Sequence, residues 1–174
     1  MFTQYFNILN DIEFEYITNT IKKSKWMYGR TSNKSDTMKF WEMNLNNNDF
    51  LKNVFLPKIE TITNTKFSVL SILANGQTYG QEGSWHNDSD AANNKTFVFY
   101  TNVCDDISLV GETYFKDDQN NISIVSPIPN SGVYFNSSII HKGCSPKREF
   151  NDIRATIAFK LIAMGELKNT KTLL

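Results

Sequence analysis

Hydrophobic positions along this chain follow two regimes, and the period changes near residue 65. Before that point apolar residues recur at helical spacing. Ile12, Tyr16, Ile17 and Ile21 predict an amphipathic helix to about residue 24. Asn10, three residues ahead of Glu13, makes a capping-box-like start, although that motif prefers Ser or Thr at the cap. A second helix is expected from near Asn48, with Leu51, Val54, Phe55, Ile59 and Ile62 on one face and Pro57 kinking or splitting it. The polar stretch Gly29 to Lys39 between them reads as a loop. From Lys66 onward the pattern becomes that of strands: Phe67 to Leu73, Thr96 to Val103, Ile122 to Val125, Gly132 to Phe135 and Ile153 to Ile162. Short strands separated by Asn, Gly, Asp and Pro turns suggest a sandwich or barrel and not a βαβ fold. The expected fold is mainly β with N-terminal helices. Two or three helices (about 1–64) pack on a double-stranded β-helix, a jelly roll (about 66–163), in one domain spanning 1–174.

Composition narrows the classes. A chain of 174 residues is long enough to bury a real core, and thirteen Phe supply one. Eighteen basic and eighteen acidic residues cancel, so no polyanion-binding surface is announced and nucleic acid is not the expected partner. No apolar run reaches transmembrane length, and the N-terminus lacks a signal-peptide pattern. The expectation is a cytoplasmic protein with no membrane partner. Nothing in the pattern sets the oligomeric state. Two cysteines, Cys104 and Cys144, are too few for a disulfide framework and read as small, half-buried thiols.

The chain has two histidines, and their placement carries most of the functional argument. His86 lies in His86-Asn87-Asp88, and His141 follows much later in Ile140-His141-Lys142-Gly143. An H-x-D pair followed by a distant His is the ligand set of a 2-His-1-carboxylate site, which holds non-haem Fe(II) on one face and leaves the opposite face open. Side chains alternate across a strand, so His86 and Asp88 share a face if the segment is extended, with Asp90 on the same face as a supporting group or a competing ligand. Alone, an H-x-D is usually surface or turn chemistry. The competing zinc reading, His141-x-x-Cys144 with Cys104, leaves His86 and Asp88 unexplained.

Arg154 stands near the start of an otherwise apolar strand. An inward-facing Arg needs an anion, because an unpaired buried charge is very costly. Its planar fork suits bidentate binding of a carboxylate, and Thr156, two residues on, could add a hydroxyl. The bland alternative is a surface ion pair with Asp152 or Glu149. Arg148, in the preceding charged loop, is the fallback anchor.

With these residues the sequence resembles the 2-oxoglutarate and Fe(II)-dependent dioxygenases, in their prolyl 4-hydroxylase-like branch. The resemblance rests on His86-x-Asp88, Thr96 to Asn102, Gly111-Glu112-Thr113-Tyr114-Phe115, Gly132 to Phe135, His141 and Arg154-x-Thr156, in an order spanning residues 69 to 162. It implies a jelly-roll core, metal ligands His86, Asp88 and His141, and 2-oxoglutarate held by Arg154, Thr156 and Tyr100. It further implies Fe(II), 2-oxoglutarate and O2 as cofactor and co-substrates, ascorbate as an optional addition, and no catalytic side chain beyond the metal ligands. An intact Asp88 argues for hydroxylation, since related halogenating enzymes lack that carboxylate. Two features depart from the family: Val110 replaces the first Gly of its frequent Gly-Gly-Glu-Thr, and His141 to Arg154 is longer than in many prolyl hydroxylases. The implied activity is hydroxylation of an unactivated C–H, with a prolyl residue in a peptide first and another small molecule, such as a free amino acid, as competitor. A nucleic-acid oxygenase of the same superfamily and a non-catalytic metal-binding jelly-roll sensor are the alternatives. Trp41, Tyr79 and Trp85 are candidates for the site's mouth, and the glycine-rich loop Gly76 to Gly83 for a lid, each with an ordinary packing or turn role as the plainer reading.

Overall fold

The first helix begins where its cap residues place it. In the computed structural model, which describes residues 2–167, α1 spans Asp11–Lys23. The Asn10 side chain accepts from the Glu13 N–H at 3.0 Å, and the Glu13 carboxylate accepts from the Asn10 N–H at 3.0 Å. Two otherwise orphaned donors are thereby satisfied, worth about 1 kcal/mol relative to an apolar cap. Ile17 and Ile21 are buried, but Ile12 is 81% and Tyr16 49% exposed, so the apolar stripe turns onto Phe14 in place of those two. The second helical region splits as Pro57 requires. Leu51–Phe55 forms a π-helical turn started by the Asn48 side chain, and α2 (Leu56–Thr63) carries Pro57 in its first turn, where a missing N–H costs nothing.

The N-terminal third also carries strands that its sequence pattern did not reveal: β1 (Phe2–Tyr5), β2 (Met27–Arg30) and β3 (Phe40–Asn44). This corrects the purely helical reading of that region. The remaining strands are β4 (Thr65–Gln77), β5 (Asn94–Tyr100), β6 (Thr113–Lys116), β7 (Ile122–Val125), β8 (Ser131–Asn136), β9 (Ile140–Gly143) and β10 (Arg154–Glu166). A seven-stranded sheet runs β1-β8-β5-β10-β4-β3-β2, and a three-stranded sheet runs β7-β6-β9, with every pairing antiparallel. This is the expected mainly β jelly roll with helices near the N-terminus. No helix among the described residues is long and apolar enough to cross a membrane.

Alternation along the large sheet sorts its side chains to two fates. One face presents Phe97, Phe99, Ile157, Phe159 and Leu161 to the helices, where Phe55 meets Phe97, Phe99 and Phe159 edge-on at centroid distances of 6.3, 4.6 and 5.3 Å. Such aromatic pairs add about 0.5–1.5 kcal/mol each beyond area burial. The opposite face meets the small sheet through Val98, Tyr100, Phe115, Val133 and Phe135. Where the small sheet stops covering it, that face is left with Arg154, Thr156, Ala158 and Lys160 of β10 opening into a cavity. β10 is central, flanked by β4 and β5, so these side chains are fixed by ladders on both sides.

Candidate metal centre

His86, Asp88 and His141 converge in this cavity. Each offers a ligand atom, and these atoms lie within 4.8 Å of one another, the only such group of three among the described residues. His141 comes from β9 and is 5% exposed. His86 belongs to no named strand. It is held against His141 by a reciprocal pair of backbone hydrogen bonds, His86 N–H to His141 O at 3.0 Å and His141 N–H to His86 O at 2.8 Å. Asp88 follows, its N–H donating to Ser137 O at 2.8 Å. The local extension expected of His86-x-Asp88 is thus supplied by a single bridge to the strand that carries the third residue.

The donor set suits a divalent metal. Nδ1 of His86 lies 2.9 Å from Ser84 O, and Nδ1 of His141 lies 2.9 Å from Ile139 O. A carbonyl only accepts, so each Nδ1 carries a proton and Nε2 is the ring atom each histidine can turn to a metal. Both Nε2 atoms stand 3.7 Å from the Asp88 carboxylate, His86 facing Oδ1 and His141 facing Oδ2. Such backbone-oriented imidazoles are the usual arrangement at metal sites.

Charge distribution agrees with this. Burial alone would raise the Asp88 carboxyl, but the Lys160 ammonium, His141 and a hydrogen bond from Thr96 outweigh it and hold the group down at about 2. Thr96 Oγ1 donates to Asp88 Oδ2 at 2.6 Å, and Lys160 Nζ touches the same oxygen. Burial depresses His141 to about 4 against the opposing pull of Asp88, so it is neutral at physiological pH and ready to ligate. The unfolded chain takes up this proton near 6.5, while the folded one excludes it down to about 4. The neutral imidazole's contribution is therefore intact above 6.5 and lost as pH falls toward 4. In chelator, the urea midpoint of wild type should fall across that window, and that of His141→Gln should fall less.

At the cavity's other end Arg154 is 2% exposed. Its Nε donates to Gly111 O at 2.8 Å, Nη1 to Gln77 Oε1 at 2.8 Å, and Nη2 to Thr113 Oγ1 at 3.1 Å and Glu112 O at 3.3 Å. All these acceptors are neutral, and among the described residues no carboxylate lies within ion-pair range of it. The surface pair with Asp152 or Glu149 is therefore not formed. A buried guanidinium answered only by dipoles still calls for an anion. Gly111 makes the arrangement possible: it sits at φ +89°, and a Cβ there would stand 2.7 Å from the carbonyls of Cys144 and Ser145. Thr156 lines the same cavity. Tyr100 is 1% exposed and donates to Thr113 Oγ1 at 2.9 Å, so it stands behind Thr113 and does not line the cavity. Arg148 is exposed and takes no part.

Other sequence expectations fall elsewhere. Asp90 is exposed and accepts from the Asn87 side chain at 2.5 Å, away from the trio. Cys104 and Cys144 are free thiols. Trp85 lies under Lys116 and Lys142 at 4.5 and 5.2 Å, Trp41 borders a separate cavity, and Tyr79 is 64% exposed, so none of the three lines this one. Sequence reading missed Gln77, Thr96 and Lys160. Lys160 was legible, since it shares the parity of Arg154 and Thr156 in the same apolar strand. Gln77 and Thr96 were not, because nothing local distinguishes them from ordinary strand residues.

No family model matches the chain, and no curated protein matches it in sequence. Solved structures do match in fold. A 2OG-Fe(II) oxygenase family oxidoreductase from Burkholderia pseudomallei superposes with a TM-score of 0.74 at 8% identity, covering 95% of this chain and 86% of that one. A prolyl-4-hydroxylase from Pseudomonas putida gives 0.66 at 11% identity, with coverages of 92% and 91%. A non-haem alpha-ketoglutarate-dependent epimerase of nogalamycin biosynthesis gives 0.69 at 9%, with coverages of 92% and 77%, and has been solved with Fe3+ and alpha-ketoglutarate.

Proposed function

The chain has the jelly-roll fold of the 2-oxoglutarate–Fe(II) oxygenases, and we propose that it is such a dioxygenase, hydroxylating an unactivated C–H. One observation carries this reading. A His-Asp-His trio and an anion-seeking buried guanidinium open into one cavity of about 290 Å3. His86, Asp88 and His141 would hold the metal. Arg154, with Thr156 beside it, would hold the distal carboxylate of 2-oxoglutarate, and Tyr100 would keep Thr113 oriented toward Arg154. Iron with its co-substrate would supply the oxidising power that turns C–H into C–OH. The protein's own part is orientation and exclusion of water. The Nδ1–carbonyl bonds aim both Nε2 atoms into the site, Thr96 fixes the carboxylate rotamer, and the apolar seam around Phe115 and Phe135 closes one side of His141.

A prolyl residue in a peptide is the substrate to which fold likeness points, because two similar folds are prolyl hydroxylases and one was solved with a peptide fragment. The cavity, near the lower end of the roughly 300–1,000 Å3 typical of small-molecule sites, favours a small molecule. Succinate release with Fe(II) and 2-oxoglutarate, measured against proline peptides and free amino acids, tests the proposal. A substrate should accelerate release and gain one oxygen atom in mass. Absence of both 2-oxoglutarate binding and turnover would leave a non-catalytic metal-binding jelly roll.

A further inference from the structure

Lys160 enters the site without a role in holding metal or co-substrate. It lies on the cavity face of β10 six residues beyond Arg154, a Cα separation of roughly 20 Å at ordinary strand rise, and its pairing partners are Thr96 of β5 and Ser71 of β4. Its ammonium reaches the Oδ2 atom of Asp88. Arg154 and Lys160 thus stand at opposite ends of a row of cavity-facing β10 side chains. Ser71, the β4 partner of Lys160, and Leu70 border the cavity at this end, and Arg30, already 3.7 Å from Glu42, lines it as well.

The charges around this cavity do not balance. Arg30, Arg154 and Lys160 line it, and Asp88 is the one carboxylate among its lining residues. Without metal, Lys160 and Asp88 neutralise each other. A bound divalent cation would draw on the Asp88 charge, and a 2-oxoglutarate dianion would be answered by the metal and Arg154. The Lys160 ammonium, 23% exposed, is then left without a full counter-charge in a confined space. A partly buried cation in that position strongly favours an anion as its next neighbour.

Resting on the oxygenase reading above, we infer that Lys160 binds a carboxylate of the prime substrate, and that this substrate is a small free acid of amino-acid size. Because the ammonium touches a metal-site residue, a carboxylate paired to it lies beside the reacting position. The oxidised C–H is then only a few bonds from that carboxylate. An internal prolyl residue of a peptide has no carboxylate at that distance. Lys160 is the specificity-determining residue, and its charge is the selecting feature.

The test uses the full chain loaded with Mn(II), which binds oxygen-and-nitrogen sites without turnover, and 2-oxoglutarate. Calorimetry then compares free L-amino acids with their carboxamides, and internal-proline peptides serve as a third arm. At least one free amino acid should bind, with its carboxamide binding at least tenfold more weakly. Lys160→Met should remove that preference while 2-oxoglutarate affinity changes less than threefold, and Lys160→Arg should retain it. Equal binding of acid and amide, binding of proline peptides alone, or no free acid binding to the wild type would each overturn the inference. Loss of metal binding in Lys160→Met and its restoration in Lys160→Arg, with no change in acid preference, would also overturn it, since Lys160 would then only position Asp88. Failure of wild type to bind 2-oxoglutarate at all would instead remove the oxygenase reading beneath it.

Discussion

Replacing His141 with alanine should abolish tight Fe(II) binding. His141 supplies a neutral Nε2 whose tautomer is fixed by Ile139 O, and the chain has only one other histidine to offer. The affinity loss should exceed the roughly 10–100-fold that removal of an outer-shell partner typically costs. Anaerobic titration of wild type and variant measures it directly. His141 also packs between Phe115 and Phe135, at centroid distances of 5.9 and 4.7 Å, so circular dichroism must show the variant folded. His141→Gln, which keeps most of the volume, provides the control. Equal affinity in wild type and variant would exclude His141 from the ligand set.

Arg154→Ala should weaken 2-oxoglutarate binding by about 2–5 kcal/mol, roughly 30- to 5,000-fold, while metal affinity stays near wild type. The variant carries a second cost. Gly111 O, Glu112 O, Gln77 Oε1 and Thr113 Oγ1 each lose a donor, and a buried unsatisfied group costs about 1–3 kcal/mol. Arg154→Lys keeps the charge but loses the fork, and should fall between wild type and alanine in co-substrate affinity. Arg148→Ala should have no effect, since that side chain is exposed and outside the cavity. A large effect of Arg148→Ala with none from Arg154→Ala would reverse the assignment.

Much of the architecture was legible because period and polarity are local properties. The reciprocal cap of α1, the split at Pro57, the core strands and the jelly-roll class all follow from spacing within a few residues. The strands β1, β2 and β3 were not legible, and neither were β6 and β9, of four residues each. Each has five residues or fewer, and β2 is exposed throughout, so none shows a clear alternation of its own. They are strands because a neighbouring edge offers hydrogen bonds. The same difference explains Ile12 and Tyr16, whose spacing is helical but whose faces depend on where α1 lies against the sheet.

For the site, the sequence by itself determined which residue types were available: two histidines, one H-x-D, and an arginine and a threonine of one parity in an apolar strand. Only tertiary structure decided that His86 is bridged to His141 across 55 positions, that Arg154 is buried with neutral partners while Arg148 is exposed, and that Tyr100 stands behind Thr113. It also decided that Lys160 reaches Asp88. The physical reason is range. Side-chain parity and helix caps are set by neighbours in sequence, whereas coordination geometry and uncompensated charge are set by groups from distant strands. Their meeting depends on the register of β5, β9 and β10, which no local pattern encodes.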